Sequence, residues 1–407
     1  MDRSHSSAFT RGVRYGRFWR PDRTSPFFCL AILAAIGGCG PASRGPEATA
    51  DTTTTALTSS SDHGNAVKTF VPPYHSTPWF EDVTDAVGLN FLHDAGPEPE
   101  GALYRMPQSM GSGCALLDFD NDGRLDIYLI HNGGPQGRRN QLFKQQPDGR
   151  FNDVSAGSGL DFSGFGMGAA AGDVNNDGYT DLVVTAYGGT RLLLNRNGET
   201  FQDVSAVSGV VNPLWATSAS FLDYDRDGWL DLVVANYVDY DPTKPCQDPD
   251  GRYDFCSPRA FPPTITRLFH NVSATPSESS EATVQFVDVT VEAGLSKHPG
   301  PGLGVVCADF NRDRWPDILI ADDGQPNRLW LNGHDGTFQE AGLQMGLAYN
   351  RMGNAEANMG VAVGDVNGDG ALDIFITHLS HETPTLWQQG ADGFFEDRTS
   401  EAGLSHP

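Results

Sequence analysis

From about residue 114 onward, short apolar runs of four to seven residues recur along the chain, among them "CALL", "DLVVTAY", "RLLLN", "DLVVANY", "RLFHN", "DILIAD", "RLWLN" and "DIFITH". Glycine, asparagine or aspartate bounds most of them. Runs this short, rich in branched and aromatic residues and punctuated by turn formers, predict β-strands, because a helix would need ten or more residues with a 3.6-residue period. The runs also come in a fixed order. A Gly-rich segment such as "FGMGAAAG", "GLGVVCA" or "NMGVAVG" is followed by a polar loop, two strands, and a segment of the type "FQDVSAVSGV", in about 55 residues. Four antiparallel strands cannot cover both faces of their own sheet, so successive units must stack. The pattern predicts an all-β propeller of four-stranded blades.

The last segment of the unit begins at Phe80, Phe151, Phe201, Phe286, Phe338 and Phe395, each with an acid two places on. One wet and one inward face fits an outer strand. The copy at Phe80 precedes every loop and is expected to lend an outer strand to the final blade. Residues 88 to 112 are expected to add strands, so the five clear repeats correspond to five to seven blades over residues 71–407.

The polar loops share the pattern Asp-x-Asp/Asn-x-Asp-Gly-x-x-Asp. They run through Asp118, Asp120, Asp122 and Asp126; Asp173, Asn175, Asp177 and Asp181; Asp223, Asp225, Asp227 and Asp231; Asp309, Asn311, Asp313 and Asp317; and Asp365, Asn367, Asp369 and Asp373. Successive starts are 55, 50, 86 and 56 residues apart, the long gap holding a Pro-rich insertion at 239–265. Crowding so many carboxylates costs several kcal/mol of repulsion unless a cation sits among them. Oxygen ligands at positions one, three, five and nine, with a carbonyl from position seven, suit Ca²⁺. Position seven holds Arg124, Tyr179, Trp229, Trp315 and Ala371, whose varied side chains fit a role for the carbonyl alone. An EF-hand is excluded, since position 12 of the first loop is Leu129 and strands flank the loops. In the fourth loop Arg314 replaces the glycine and Arg312 adds a second positive charge, so this loop is expected to hold calcium most weakly.

The chain has 407 residues and a formal charge of -25, which argues against nucleic acid or anionic lipid as a partner. Its first 26 residues are arginine-rich and lead into "FFCLAILAAIGGCG", too short to span a bilayer. Residues 1–39 are read as a signal peptide ending in a lipobox-like Ile36-Gly37-Gly38-Cys39, with Cys39 as the lipidated residue. Residues 40–70 have almost no large apolar side chains and are expected to form a disordered tether. In an oxidising compartment Cys246 and Cys256 form a disulfide, while Cys114 and Cys307 are expected in the core.

The segments "FGMGAAAGDVNNDGYTDLVV" and "NMGVAVGDVNGDGALDIFIT" resemble the FG-GAP repeat, also called the VCBS repeat. The order "FEDVTDAVGLNFLHDAG", "MGSGCALLDFDNDGRLDIYL" and a Cys-containing insertion after the third loop is similar to the cartilage acidic protein-like group, which often carries a C-terminal ASPIC/UnbV domain. The resemblance implies a calcium-binding propeller, usually of seven blades, outside the cytoplasm. No ASPIC/UnbV segment follows "AGLSHP", and a C-terminal truncation is expected.

No nucleophile elbow, metalloprotease helix, phosphate loop or Cys/His ligand cluster stands in the sequence. His378, His381 and Glu382 come nearest to a catalytic cluster, and are expected to be wet loop residues. The sequence is therefore read as a lipid-anchored, calcium-stabilised propeller of the bacterial envelope or extracellular space that presents loops, above all the insertion, to a protein or glycan. A propeller-fold polysaccharide lyase or hydrolase is the alternative.

Overall fold

The computed structural model describes residues 80–97, 104–273, 284–379 and 381–405. The signal peptide, Cys39 and the tether lie outside them. Five four-stranded antiparallel sheets follow one another along the chain as propeller blades. The first contains β1 (Cys114–Leu117), β2 (Asp126–Leu129), β3 (Gln141–Gln145) and β4 (Phe151–Asp153), and the second β5 (Phe165–Gly172), β6 (Asp181–Tyr187), β7 (Gly189–Arg196) and β8 (Thr200–Asp203). The third starts with β9 (Ala216–Leu222) and β10 (Asp231–Asn236), is interrupted by a small hairpin of β11 (Cys246–Gln247) and β12 (Tyr253–Asp254), and resumes with β13 (Arg267–Asn271) and β14 (Phe286–Asp288). The fourth has β15 (Gly302–Ala308), β16 (Asp317–Asp322), β17 (Arg328–Asn332) and β18 (Phe338–Glu340), and the fifth β19 (Val361–Gly364), β20 (Asp373–Ile376), β21 (Thr385–Gln389) and β22 (Phe395–Asp397).

The core lies between the sheets. Leu117, Tyr128 and Ile130 of the first blade meet Leu182, Val184 and Leu193 of the second; Val183 and Leu192 meet Leu232, Val234 and Phe269 of the third. Val233 and Leu268 then meet Ile318, Ile320 and Trp330, and Leu319 and Leu329 meet Ile374, Ile376 and Trp387. The second strands of the three middle blades, β6, β10 and β16, are thus sandwiched, and in β10 and β16 every residue is buried, whereas β2 of the first blade keeps Ile127 and Leu129 half-exposed. This is why those strands read as unbroken apolar runs rather than alternations. At about 1.5–3 kcal/mol per fully buried large side chain, stacking rather than any single sheet supplies the stability.

The Gly-rich first strands pack side by side. A Cβ on Gly168 would stand 2.9 Å from the carbonyl oxygen of Thr217, and one on Gly304 2.7 Å from that of Met359. Only glycine permits that approach of neighbouring backbones.

Three expectations need correction. Residues 80–83 form no strand and Phe80 is 71% exposed, because β21, the edge it would have joined, already pairs with β22. The segment instead turns into a short helix, α1 (Thr84–Val87), closed by left-handed Gly88, as happens between blades at α3 (Ser205–Ser208) with Gly209 and α4 (Gly342–Met345) with Gly346. Among the described residues of 88–112 there is one helix, α2 (Met106–Ser109), and no strand. Cys114 is exposed, since β1 alternates and buries Ala115 and Leu117 instead; Cys307 is half-buried against the third and fourth blades.

The insertion departs from the end of β10 away from the aspartate loops. Cys246 and Cys256 are disulfide-bonded, as expected, with Cα atoms 5.1 Å apart. Tyr240, Cys256 and Phe261 are buried with Met106, Met167, Trp215 and Tyr237, and Tyr240 lies 5.4 Å from Trp215 and 5.1 Å from Phe261 between ring centroids. The insertion is therefore a cap with a built-in apolar root.

Candidate cation-binding loops

Each aspartate loop joins the first strand of a blade to the second, so all five emerge at one end. Each is folded by its own main chain. The first aspartate accepts the amides of positions five and six: Asp122 and Gly123 donate to Asp118 at 3.0 and 2.8 Å, Asp177 and Gly178 to Asp173 at 3.1 and 2.8 Å, and Asp227 and Gly228 to Asp223 at 3.0 and 3.1 Å. Asp313 and Arg314 donate to Asp309 at 3.0 and 2.8 Å, and Asp369 and Gly370 to Asp365 at 3.1 and 2.9 Å. The fifth position in turn accepts the amide of the seventh, from Arg124, Tyr179, Trp229, Trp315 and Ala371, at 2.8 to 3.1 Å.

This winding needs left-handed backbone twice. Position six has φ of +83°, +89° and +93° at Gly123, Gly178 and Gly228, +85° at Gly370, and +73° at Arg314. Position four is left-handed as well, at Asn121, Asn176, Arg226, Arg312 and Gly368.

The ninth aspartates sit beneath the loops. Asp126, Asp181, Asp231 and Asp317 have no exposed surface and Asp373 almost none. One oxygen accepts the position-two amide, from Phe119, Val174, Tyr224, Phe310 or Val366, at 2.9 to 3.2 Å. The other accepts a third-strand amide, from Gln145, Asn195, Asn271, Asn332 or Gln389, at 2.7 to 3.0 Å. Burial, with neighbouring carboxylates adding to it in the first, second, fourth and fifth loops, pushes Asp181 and Asp317 up to about 7 and Asp126 and Asp231 to about 6; Asp373 is raised in the same direction.

The remaining acids converge above this floor. Carboxylate oxygens of Asp118, Asp120 and Asp122 lie within 4.8 Å of one another, as do those of Asp223, Asp225 and Asp227. The asparagine-bearing loops keep the same winding, with Asn175, Asn311 and Asn367 accepting the position-five amide at 2.9 to 3.1 Å. Clustered hard oxygen donors of this kind are the ligand type that a divalent cation such as Ca²⁺ takes. In the third loop His270 adds a nitrogen 3.0 Å from Asp231 and 3.8 Å from Asp225.

The side chain at position seven is not always idle. Arg124 reaches Asp122 and the carbonyl of Gln145, and Trp315 stacks on His334 at 4.7 Å. Arg312 in the fourth loop faces away from the loop's carboxylates. Its guanidinium turns to the next blade, donating to Gln389 at 3.0 Å and to the carbonyl of Gly390 at 3.2 Å.

Sequence reasoning missed the ties between blades. Third-strand amides bridge two loops: Asn195 donates to the carbonyls of Phe119 and Thr180, Asn271 to Val174 and Leu230, Asn332 to Tyr224 and Pro316, all at 2.7 to 3.2 Å. Gln389 likewise donates to Phe310. In the other direction Asn121 donates to the carbonyl of Gly178 at 2.8 Å and Asn176 to that of Gly228 at 3.2 Å, while Arg226 lies 5.2 Å from the Trp315 ring. The asparagine closing "RLLLN", "RLFHN" and "RLWLN" was the available signal.

His378 is not a wet loop residue. Its side chain is fully buried, with Nε2 3.3 Å from Glu356 and 3.1 Å from the Thr385 hydroxyl. Glu382 accepts the amide of Ala357 at 3.0 Å.

Residues 118–184, 173–234 and 309–376 match the FG-GAP-like repeat. Human cartilage acidic protein 1 is 35% identical over 98 residues, covering 24% of this chain and 14% of that protein. The Xenopus tropicalis protein of the same name is 26% identical over 316 residues, covering 74% of this chain and 43% of that protein. The chain thus spans less than half the length of these relatives. Among solved structures, an Agrocybe aegerita lectin that recognises non-reducing terminal N-acetylglucosamine overlaps 69% of this chain and 63% of its own, at 16% identity and a TM-score of 0.37. The V. cholerae biofilm matrix protein Bap1 overlaps 70% of this chain and 38% of its own, at 12% identity and a TM-score of 0.35.

Proposed function

We propose that this FG-GAP-repeat propeller is a calcium-stabilised binding module of the bacterial cell envelope or its exterior, anchored through Cys39 and presenting the end opposite its aspartate loops to a protein or glycan. The carrying observation is the division of labour between the two ends. At one, the Asp or Asn side chains at positions one, three and five of the loops are gathered by the main-chain winding, where their oxygens would hold Ca²⁺ and the ion would neutralise the repulsion between the carboxylates. At about 1 mM Ca²⁺ and a dissociation constant of about 0.1 mM, each filled site would add about 1.4 kcal/mol.

The other end is built for contact. The insertion is rooted by Tyr240 and Phe261, so its tip is held in place while Tyr253 remains 45% exposed and the Arg252 side chain 76% exposed. An aromatic and a guanidinium on a rigid, stapled loop match what protein and glycan recognition use, because little entropy is lost on binding.

The test is a screen of calcium-loaded protein against a glycan array and a panel of envelope proteins, repeated with Tyr253→Ala and Arg252→Ala. Specific binding that weakens at least tenfold in both variants supports the reading. Unchanged binding moves the contact elsewhere, and release of unsaturated sugars from a polysaccharide panel would replace the binder by a lyase.

A further inference from the structure

The first loop fits the aspartate consensus at every position, yet its carboxylates already hold a cation from the chain itself. Lys144 lies on β3, one residue past Phe143, which pairs with Ile127 of β2. Its ammonium contacts Asp120, stands 3.4 Å from Asp122, and lies 5.9 Å from the centroid of Phe119. The Lys144 side chain is 27% exposed and that of Asp120 16%, so solvent screens the pair only in part. Arg124 takes the same Asp122 oxygen from the other side.

The strand register identifies the equivalent residue in every other blade. Leu193, Phe269, Trp330 and Trp387 occupy the place of Phe143, pairing with Leu182, Leu232, Ile318 and Ile374. The next residues are therefore Leu194, His270, Leu331 and Gln388, none of which carries a permanent charge. Only the first blade aims an ammonium at its loop from this position.

We propose that Lys144 is the resident cation of the first loop, so that this blade is held without calcium while the exchangeable ions occupy the other loops. The inference rests on the calcium reading above for those other loops. A divalent ion entering the first loop must either displace the ammonium from two carboxylates or share them with it. Either way affinity falls by about 100-fold relative to the same loop without the lysine.

The test compares the metal-stripped wild-type chain with Lys144→Met, which keeps the aliphatic stem against Phe119, and with Lys144→Gln. Calcium stoichiometry is measured by equilibrium dialysis at 1 mM free Ca²⁺, and melting temperature is followed with and without the ion. Both variants are expected to bind one ion more than wild type, to melt lower than wild type without metal, and to recover with calcium. Equal stoichiometry in all three proteins with unchanged metal-free melting overturns the role of Lys144. Should no protein bind calcium while the variants still melt lower, the calcium reading fails and the internal cation stands.

Discussion

The side-chain amide of Asn195, on the third strand of the second blade, donates at 2.7 Å to the main-chain carbonyl of Phe119 in the first blade's loop. Its second contact, the carbonyl of Thr180, lies in its own loop, and Asn195 is itself buried. One side chain thereby fastens two aspartate loops, and Asn271 and Asn332 repeat the arrangement.

Removing such a bridge leaves buried carbonyls without partners. Asn195→Leu, Asn271→Leu and Asn332→Leu should each cost about 2–3 kcal/mol, well above the usual effect of a surface change. Urea denaturation followed by tryptophan fluorescence reads this directly; a shift below 0.5 kcal/mol would show that the loops are held without the bridge.

Calcium removal should lower the melting temperature, and replacing the first aspartate should mimic it at one loop. Asp223→Ala deletes a carboxylate that accepts both the Asp227 and Gly228 amides, so loss of one bound ion and of about 1–3 kcal/mol is expected. Calorimetric titration with Ca²⁺ beside a melting curve tests both parts. An unchanged ion count would remove the third loop from the calcium sites.

Without metal the chain should grow more stable as pH falls from 7.5 towards 5. Burial lifts Asp181 and Asp317 from 3.8 to about 7 and Asp126 and Asp231 from 3.8 to about 6. Over this window the folded chain binds more protons than the unfolded one, so the stability these groups contribute is complete below about pH 4 and is lost as pH rises through 6 to 7. Added calcium should reduce or reverse the trend, because its ligands must be ionised. Melting temperatures of metal-stripped and calcium-loaded protein across this range decide it; a metal-free chain that melts higher at pH 7.5 than at pH 5 would contradict the electrostatics.

Arg314 stands where the other loops have glycine, at a φ of +73°. A side chain there costs about 1–2 kcal/mol in backbone strain, so Arg314→Gly should stabilise the protein by about 1 kcal/mol, while Gly228→Ala should destabilise it comparably. Chemical denaturation of the two variants is the check, and a loss of stability in Arg314→Gly would mean that its side chain makes a stabilising contact.

The disulfide closes a loop with a sequence separation of 10. On the chain-entropy account that ring contributes about 3 kcal/mol, but to the insertion rather than to the blades. Cys246→Ser with Cys256→Ser should therefore speed hydrogen exchange across residues 241–260 and leave the exchange of β6, β10 and β16 almost untouched. Uniform acceleration would instead make the insertion part of the cooperative core.

The repeat, the four-strand unit and the position of every aspartate were readable from the chain because they follow from local patterning: apolar runs of strand length, glycines at sharp turns, and carboxylates at alternate positions. Six copies of the Phe-x-acid segment suggested six outer strands, but an outer strand needs a free edge, and at the fifth blade Phe395 already occupies it opposite Gln389. Which edge is free is a property of the assembled sheets.

What only the tertiary structure decided is which side chains each loop meets. Lys144 and Asp120 are 24 residues apart, Arg312 and Gln389 77, and Asn332 and the Tyr224 carbonyl 108. Spacing within a loop specifies its winding, since that depends on neighbouring residues and their allowed φ. Its charge balance depends on strand register and blade stacking, which bring distant residues within a few ångströms. That is why a first loop that matches its consensus throughout is the one holding a lysine, and the fourth, with two arginines, keeps its carboxylates clear of Arg312.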